Sequence, residues 1–204
     1  MKHIRYTDLA VVPWKNGAGL RRDLASGHYV SSGAGAAPHS SWMIGIADLM
    51  QDAPFSSYPG VSRWFLPIGA GRLTLNFKVG ADVSPVHLNG MSSAHHFAGE
   101  DELHMVLHDG PMKALNVMTT GSVPLLTMER LRLSDAGSLS LPENLPGVVS
   151  LLLLAAGECR ASAAEWRDDI GLFDSLVGDD SQGTTVEVEP RGPCEWVRVV
   201  LRWP

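Results

Sequence analysis

Short apolar runs, cut again and again by glycine and proline, constrain this chain more than any other feature. Of its 204 residues, 21 are glycine and 13 are proline, and few windows between them sustain a helical period. Both residues interrupt helices, and closely spaced turn signals favour short strands joined by loops. Several runs then show a period of two. Leu73, Leu75 and Phe77 alternate with Thr74, Asn76 and Lys78, and Leu103, Met105 and Leu107 alternate with His104, Val106 and His108. Val186 and Val188 alternate with Glu187 and Glu189, and Trp196 to Trp203 is a further strand candidate. Such alternation sets one face of a strand against a core and leaves the other wet. Leu151 to Leu154 is apolar throughout and reads as a strand buried on both faces. Ser162 to Val177 is the best helix candidate. The pattern as a whole predicts an all-β sandwich or barrel, built as one large domain or two small ones.

Composition narrows the function classes. An apolar fraction of 45% with 19% charged residues suits a folded globular chain. A formal net charge of -6, with no Lys/Arg cluster, argues against a nucleic-acid partner. The longest apolar run, Val148 to Ala156 with Ser150 inside it, is too short to cross a bilayer, so no membrane partner is expected. The segment Met1-Lys2-His3-Ile4-Arg5-Tyr6 lacks the apolar stretch of a secretory signal, which makes the cytoplasm the expected location. Cys159 and Cys194 have no metal-ligand spacing. In a reducing compartment they are most simply buried small hydrophobes, with a single bridge between them as the alternative.

The run Pro13-Trp14-Lys15-Asn16-Gly17-Ala18-Gly19 sets an aromatic, a cation and an amide side by side ahead of two glycines. Glycine weakens both helix and strand, so the run reads as a fixed loop, with an ordinary glycine turn at a strand end as the alternative. Lys15 offers a charge-assisted hydrogen bond to a carboxylate, and Asn16 offers both a donor and an acceptor. Arg63 follows a Pro59-Gly60 turn and precedes Trp64-Phe65-Leu66. There its planar fork either grips a carboxylate or serves a structural ion pair. Arg21 and Arg22 are neighbours on one strand, so at most one of them faces a cavity. Asn116 is a polar residue inside the apolar run Leu115 to Met118. It either binds ligand or ties down nearby backbone. Trp14, Phe55 and Tyr58 are candidate pocket walls. The small-residue stretch Ser31 to Pro38 reads as a loop between strands, either a lid or an inert hairpin extension.

Three segments together resemble the HutD/Ves family, small bacterial proteins with a bicupin fold. The first is the Pro13 to Gly19 run. The second is Pro54-Phe55-Ser56-Ser57-Tyr58-Pro59-Gly60-Val61-Ser62-Arg63. The third is Phe97-Ala98-Gly99-Glu100, followed by Gly110-Pro111-Met112-Lys113-Ala114-Leu115-Asn116-Val117-Met118. Departures from the family pattern are Ala18 for a glycine, Arg21 for a threonine, and Ser62 and Ala114 for aspartates. Loss of two carboxylates makes a pocket more positive, which favours an anionic ligand.

The resemblance implies two cupin-like barrel or jelly-roll halves packed together with few short helices. The first half, residues 1–120, carries the motifs; the second is residues 121–204, with a soft boundary and strands open to exchange between the halves. It also implies a binding protein of histidine utilisation whose partner is a small carboxylate metabolite, such as a formylated amino acid or urocanate. A stress-related role belongs to the Ves branch. The expected ligand-binding residues are Trp14, Lys15, Asn16, Arg63, Asn116 and Arg21, with no cofactor, no metal, no catalytic residue and a homodimer as an option. The rival reading is a metal-dependent cupin oxygenase or isomerase using His95 or His96, His104 and Glu100. Against it, His95 and His96 are adjacent and point to opposite faces of a strand. His104 and His108 lie four apart, roughly 13 Å in a straight strand. A structural or partner-binding protein with a vestigial, side-chain-filled cavity is the third reading. No P-loop, dinucleotide fingerprint or Gly-x-Ser-x-Gly elbow is present.

Overall fold

The structure, a computed structural model, describes residues 1–14, 17–29, 40–121, 123–141, 147–178 and 183–202. Lys15, Asn16 and the 31–38 stretch therefore lie outside the described residues. The first strands are β1 (Lys2–Ile4), β2 (Val12–Pro13), β3 (Gly19–Tyr29), β4 (Ser40–Leu49), β5 (Ala53–Pro54) and β6 (Val61–Ile68). Next come β7 (Arg72–Val79), β8 (Asp82–Asn89), β9 (His95–Ala98), β10 (Leu103–Leu107), β11 (Met112–Thr120), β12 (Leu125–Leu133) and β13 (Gly137–Leu141). The last are β14 (Val148–Ala156), β15 (Cys159–Ala163), β16 (Trp166–Ile170), β17 (Ser175–Val177), β18 (Thr184–Pro190) and β19 (Cys194–Arg202). Among the described residues the helical content is one 3-10 turn, Tyr6–Asp8. None of the described helices is long and apolar enough to cross a membrane.

The chain divides into two units, residues 10–122 and residues 123–204 together with 1–9. The sequence grouped the first nine residues with the N-terminal half. They sort with the C-terminal unit because β1 pairs antiparallel with β17, Lys2 opposite Val177 and Ile4 opposite Ser175.

Unit 10–122 has a six-stranded sheet in the order β2-β3-β4-β11-β6-β9 and a four-stranded sheet in the order β5-β10-β7-β8. Both contribute to one core. Leu49, Phe65 and Ala114 come from the first sheet, and Leu75, Leu88 and Met105 from the second. The alternation in β7 and β10 produces this arrangement, since Leu73, Leu75, Leu103 and Met105 all turn inward and are buried.

In the second unit, a five-stranded sheet ordered β1-β17-β14-β19-β12 and a four-stranded sheet ordered β13-β18-β15-β16 surround a core around Trp196. Its β14 is buried along both faces from Val148 to Ala155, as its largely apolar composition, interrupted by Ser150, favours. Cys159 and Cys194 lie in this core as free thiols, and burial pushes Cys159 up to about 12. The helix expected over Ser162 to Val177 is instead the end of β15, a hairpin into β16, a second turn and β17. Two non-glycine residues in the left-handed region, Ala164 (φ 49) and Phe173 (φ 69), make those turns. Sheet pairing, Cys159 opposite Ile170 through Ala163 opposite Trp166, satisfies the backbone that a helix would have bonded internally. His3 anchors β1. Its Nδ1 lies 3.1 Å from Asp168 Oδ2 and its Nε2 3.1 Å from Asp174 Oδ2. Asp174 also accepts from the Tyr6 and Gly171 backbone N–H groups at 2.8 and 3.0 Å.

Candidate functional site

The six-stranded sheet walls a hollow with a cavity volume of about 60 Å³. Register decides which side chains meet there. On β11, Asn116 stands between Gly45 of β4 and Phe65 of β6, and Met118 stands between Met43 and Arg63. Strand alternation sends these residues to one face together with Ala47 and Leu49. Phe55, Ser56 and Tyr58, from the connection between β5 and β6, cover the face, and Trp14 and Arg21 complete the lining.

Arg63 is the central group. It is 8% exposed, and no carboxylate pairs with it among the described residues. Its Nη1 donates a long 3.4 Å hydrogen bond to the Ser56 carbonyl, and its buried Nε has no partner. The guanidinium carbon instead lies 4.7, 5.1 and 5.8 Å from the ring centres of Phe55, Phe97 and Tyr58. Aromatic faces attract a cation but do not replace the hydrogen bonds of lost water. Burial therefore lowers Arg63 to about 10, with the opposing influence of Tyr58 the smaller one. A buried, donor-rich cation without a carboxylate partner attracts an anion.

The three sequence segments converge here. In the first, Trp14 N–H donates to the Gly19 carbonyl at 2.9 Å and its indole Nε1 donates to the Leu20 carbonyl at 2.8 Å. Gly17 adopts φ 71, the left-handed region that glycine tolerates. Gly19 is needed for another reason. A Cβ there would stand 2.6 Å from the Asp48 carbonyl and 2.8 Å from Trp14 Cε2, so the indole lies directly on the glycine backbone. The second and third segments clamp each other. Tyr58 N–H donates to the Gly99 carbonyl at 2.7 Å, Gly99 N–H to the Val61 carbonyl at 2.6 Å, and Gly60 N–H to Glu100 Oε2 at 3.3 Å. This holds the covering loop that carries Phe55 and Tyr58.

Of the six residues expected to bind ligand, Trp14, Arg21, Arg63 and Asn116 line the hollow. Lys15 and Asn16 lie outside the described residues. Arg21 Nε is held by Asp23 Oδ1 at 3.0 Å, which leaves it less free than Arg63. Arg22, one residue on, reaches Asp48 at 3.3 Å on the opposite face of the sheet. Asn116 is 8% exposed, and its Oδ1 has no hydrogen-bond partner. Phe97 was not singled out as a pocket residue, yet its ring covers Arg63. Its alternation with His96 in β9 was the available signal.

His95, His96 and His104 do not gather around one point. His95 and His96 sit opposite Phe65 and Trp64, so they face opposite sides of the sheet. His95 packs on Phe77 and Phe97, and its pKa is lowered by burial and then by His96. His96 stacks on Trp64 at 4.6 Å, His104 is exposed, and Glu100 serves the Gly60 turn. Among the described residues, no group of three His, Cys, Asp or Glu side chains is placed to hold a metal ion. A ligand set drawn from His95 or His96, His104 and Glu100 therefore does not fit this arrangement.

Comparison with known proteins identifies the family and the fold. The HutD family model matches residues 6–196. The conserved protein of unknown function PA5104 from Pseudomonas aeruginosa PAO1 is 22% identical, covers 99% of this chain and 98% of its own, and superposes with a TM-score of 0.74. HutD from Pseudomonas fluorescens SBW25, solved in a formate condition, is 19% identical over 100% and 99% of the two chains, with a TM-score of 0.67. A cupin 2 conserved barrel domain protein from Leptotrichia buccalis is 13% identical over 99% and 96%, with a TM-score of 0.54. No curated protein matches the sequence significantly. At these identities the three structures speak for a shared all-β, cupin-type fold.

Proposed function

The chain belongs to the HutD family, and from that premise we propose that unit 10–122 is a non-enzymatic receptor for a small carboxylate metabolite. The reading is supported above all by Arg63, a buried guanidinium in the wall of a hollow with no carboxylate partner among the described residues. A structural arginine this deeply buried ordinarily has its charge paired. Here the rings of Phe55, Tyr58 and Phe97 shield it from water while its Nε is left without a partner and Nη1 makes only the long bond to Ser56, and an anion entering the hollow gains charge-assisted hydrogen bonds at low local dielectric. Trp14 closes one side. Lys15 and Asn16, two residues beyond it in sequence at most, belong to the same proposal as a second cation and an amide.

The metabolite class follows from histidine utilisation, where formylated amino acids and urocanate are small carboxylates, and the protein acts as a sensor or buffer of one of them. Formate, present in the condition used for the Pseudomonas fluorescens HutD structure, joins the acids to be tried. Calorimetry and thermal-shift titration with formylglutamate, urocanate, formate and histidine test the proposal. At least one acid is expected to bind saturably and raise the melting temperature, and Arg63→Ala is expected to abolish both effects. Saturable binding by none of them, or binding untouched by Arg63→Ala, refutes it.

A further inference from the structure

We infer that this hollow selects acids carrying a hydrogen-bond donor near the carboxylate, with Asn116 as the residue that reads the donor. The inference rests on the reading of Arg63 as the anion clamp. A guanidinium has donors only, so it takes the oxygens of any small carboxylate and discriminates little among them. Asn116 supplies the acceptor that Arg63 lacks. It lines the same hollow, is 8% exposed, and its Oδ1 is buried without a hydrogen-bond partner.

The sheet fixes why nothing in the protein fills that role. Asn116 is flanked across the strands by Gly45, which has no side chain, and by Phe65, which has no polar atom. Arg63 faces Met118, the next residue of β11 on that side of the sheet, so it is the diagonal neighbour of Asn116. Backbone positions related in this way lie about 7–8 Å apart, a span that one small molecule bridges. The two side chains do not satisfy each other, because Arg63 Nε and Asn116 Oδ1 are both buried and both unpartnered. One set of donors and one acceptor thus belong to residues that line a shared cavity of about 60 Å³. The molecule that completes both has carboxylate oxygens at one end and an O–H or N–H a bond or two away. An acid of equal size with a methyl group in that place leaves the Asn116 oxygen buried and unbonded, the situation binding sites penalise most.

Glycolate and propionate form a matched pair, hydroxyl against methyl, and lactate and isobutyrate form a second. Calorimetric titration of the full chain is expected to show each hydroxy acid binding about tenfold or more tightly than its partner. Asn116→Leu and Asn116→Ala are expected to bring both ratios to within about twofold while carboxylate binding persists. Ratios near unity in the unsubstituted protein, or ratios unchanged in a folded Asn116 variant, overturn this inference and leave the anion clamp standing. Binding of none of the four acids overturns this inference; the anion clamp falls with it only if formylglutamate, urocanate, formate and histidine also fail to bind, or if binding is indifferent to Arg63→Ala. The ratio in the unsubstituted protein decides the matter even where a variant does not fold.

Discussion

The guanidinium of Arg63 lies 4.7 Å from the centre of the Phe55 ring, in a wall where no acidic side chain answers its charge among the described residues. A cation kept this way opposes folding, because its desolvation is only partly offset by ring faces. Arg63→Met, which fills similar space without the charge, is therefore expected to raise unfolding free energy by about 1 kcal/mol while abolishing acid binding. Denaturant unfolding and calorimetry on the same variant check both halves. A variant that loses stability instead identifies Arg63 as a structural residue.

Alkaline pH separates folding from binding at this group. Burial lowers Arg63 to about 10, from the ordinary value of a guanidinium. Between those values the unfolded chain holds the proton and the folded chain releases it, so the Arg63 contribution to stability rises with pH across that window. Binding runs the other way, since the anion requires the charged form. Acid affinity is expected to fall about tenfold per pH unit above about pH 10, with Tyr58 the titratable neighbour to be controlled by Tyr58→Phe. Affinity that stays flat past that point shows that another cation takes the anion.

The two glycines of the first segment are expected to respond differently to alanine. Gly17→Ala strains a left-handed residue with no atom within 4 Å of the new methyl, so stability falls by about 1 kcal/mol and the indole stays in place. Gly19→Ala drives a methyl into the Asp48 carbonyl and the Trp14 ring. Its expected loss is larger, about 2–3 kcal/mol, with a shift in tryptophan emission and weaker acid binding. Fluorescence spectra of the two variants, recorded beside their unfolding curves, make the comparison.

His3 gives a control in the other unit. His3→Ala leaves Asp174, which is 5% exposed, and Asp168 without the ring between them. Unfolding free energy is expected to fall by about 1–3 kcal/mol, with acid affinity unchanged because the hollow is lined by residues of unit 10–122 alone. Altered affinity in a folded His3→Ala protein would contradict that separation.

Strand alternation was readable directly: Leu73, Leu75, Leu103 and Met105 announced their buried faces, and β14 announced burial on both. The position of Arg63 was readable from the Pro59-Gly60 turn before it, and Gly60 does adopt φ 74. The Ser162 to Val177 region misled because its alanines and glutamate favour helix as single residues, whereas the turns at Ala164 and Phe173 use residues that rarely accept a left-handed backbone. Pairing partners were beyond sequence reasoning altogether. That Asn116 would stand beside a glycine and a phenylalanine, leaving its oxygen unanswered, depends on the register of three strands separated by dozens of residues. The attachment of residues 1–9 to β17 is of the same kind.

That attachment sets an order of assembly. Every group lining the hollow falls between Trp14 and Met118, so this part of the molecule can finish while ribosomal synthesis of the remainder continues. Lys2 to Ile4 must meanwhile wait for Ser175 to Val177, an interval on the order of ten seconds or more at ordinary elongation rates. The first strand to emerge is among the last to dock, and until it does, an open sheet edge on the younger unit is exposed to whatever chaperone or neighbouring chain reaches it first.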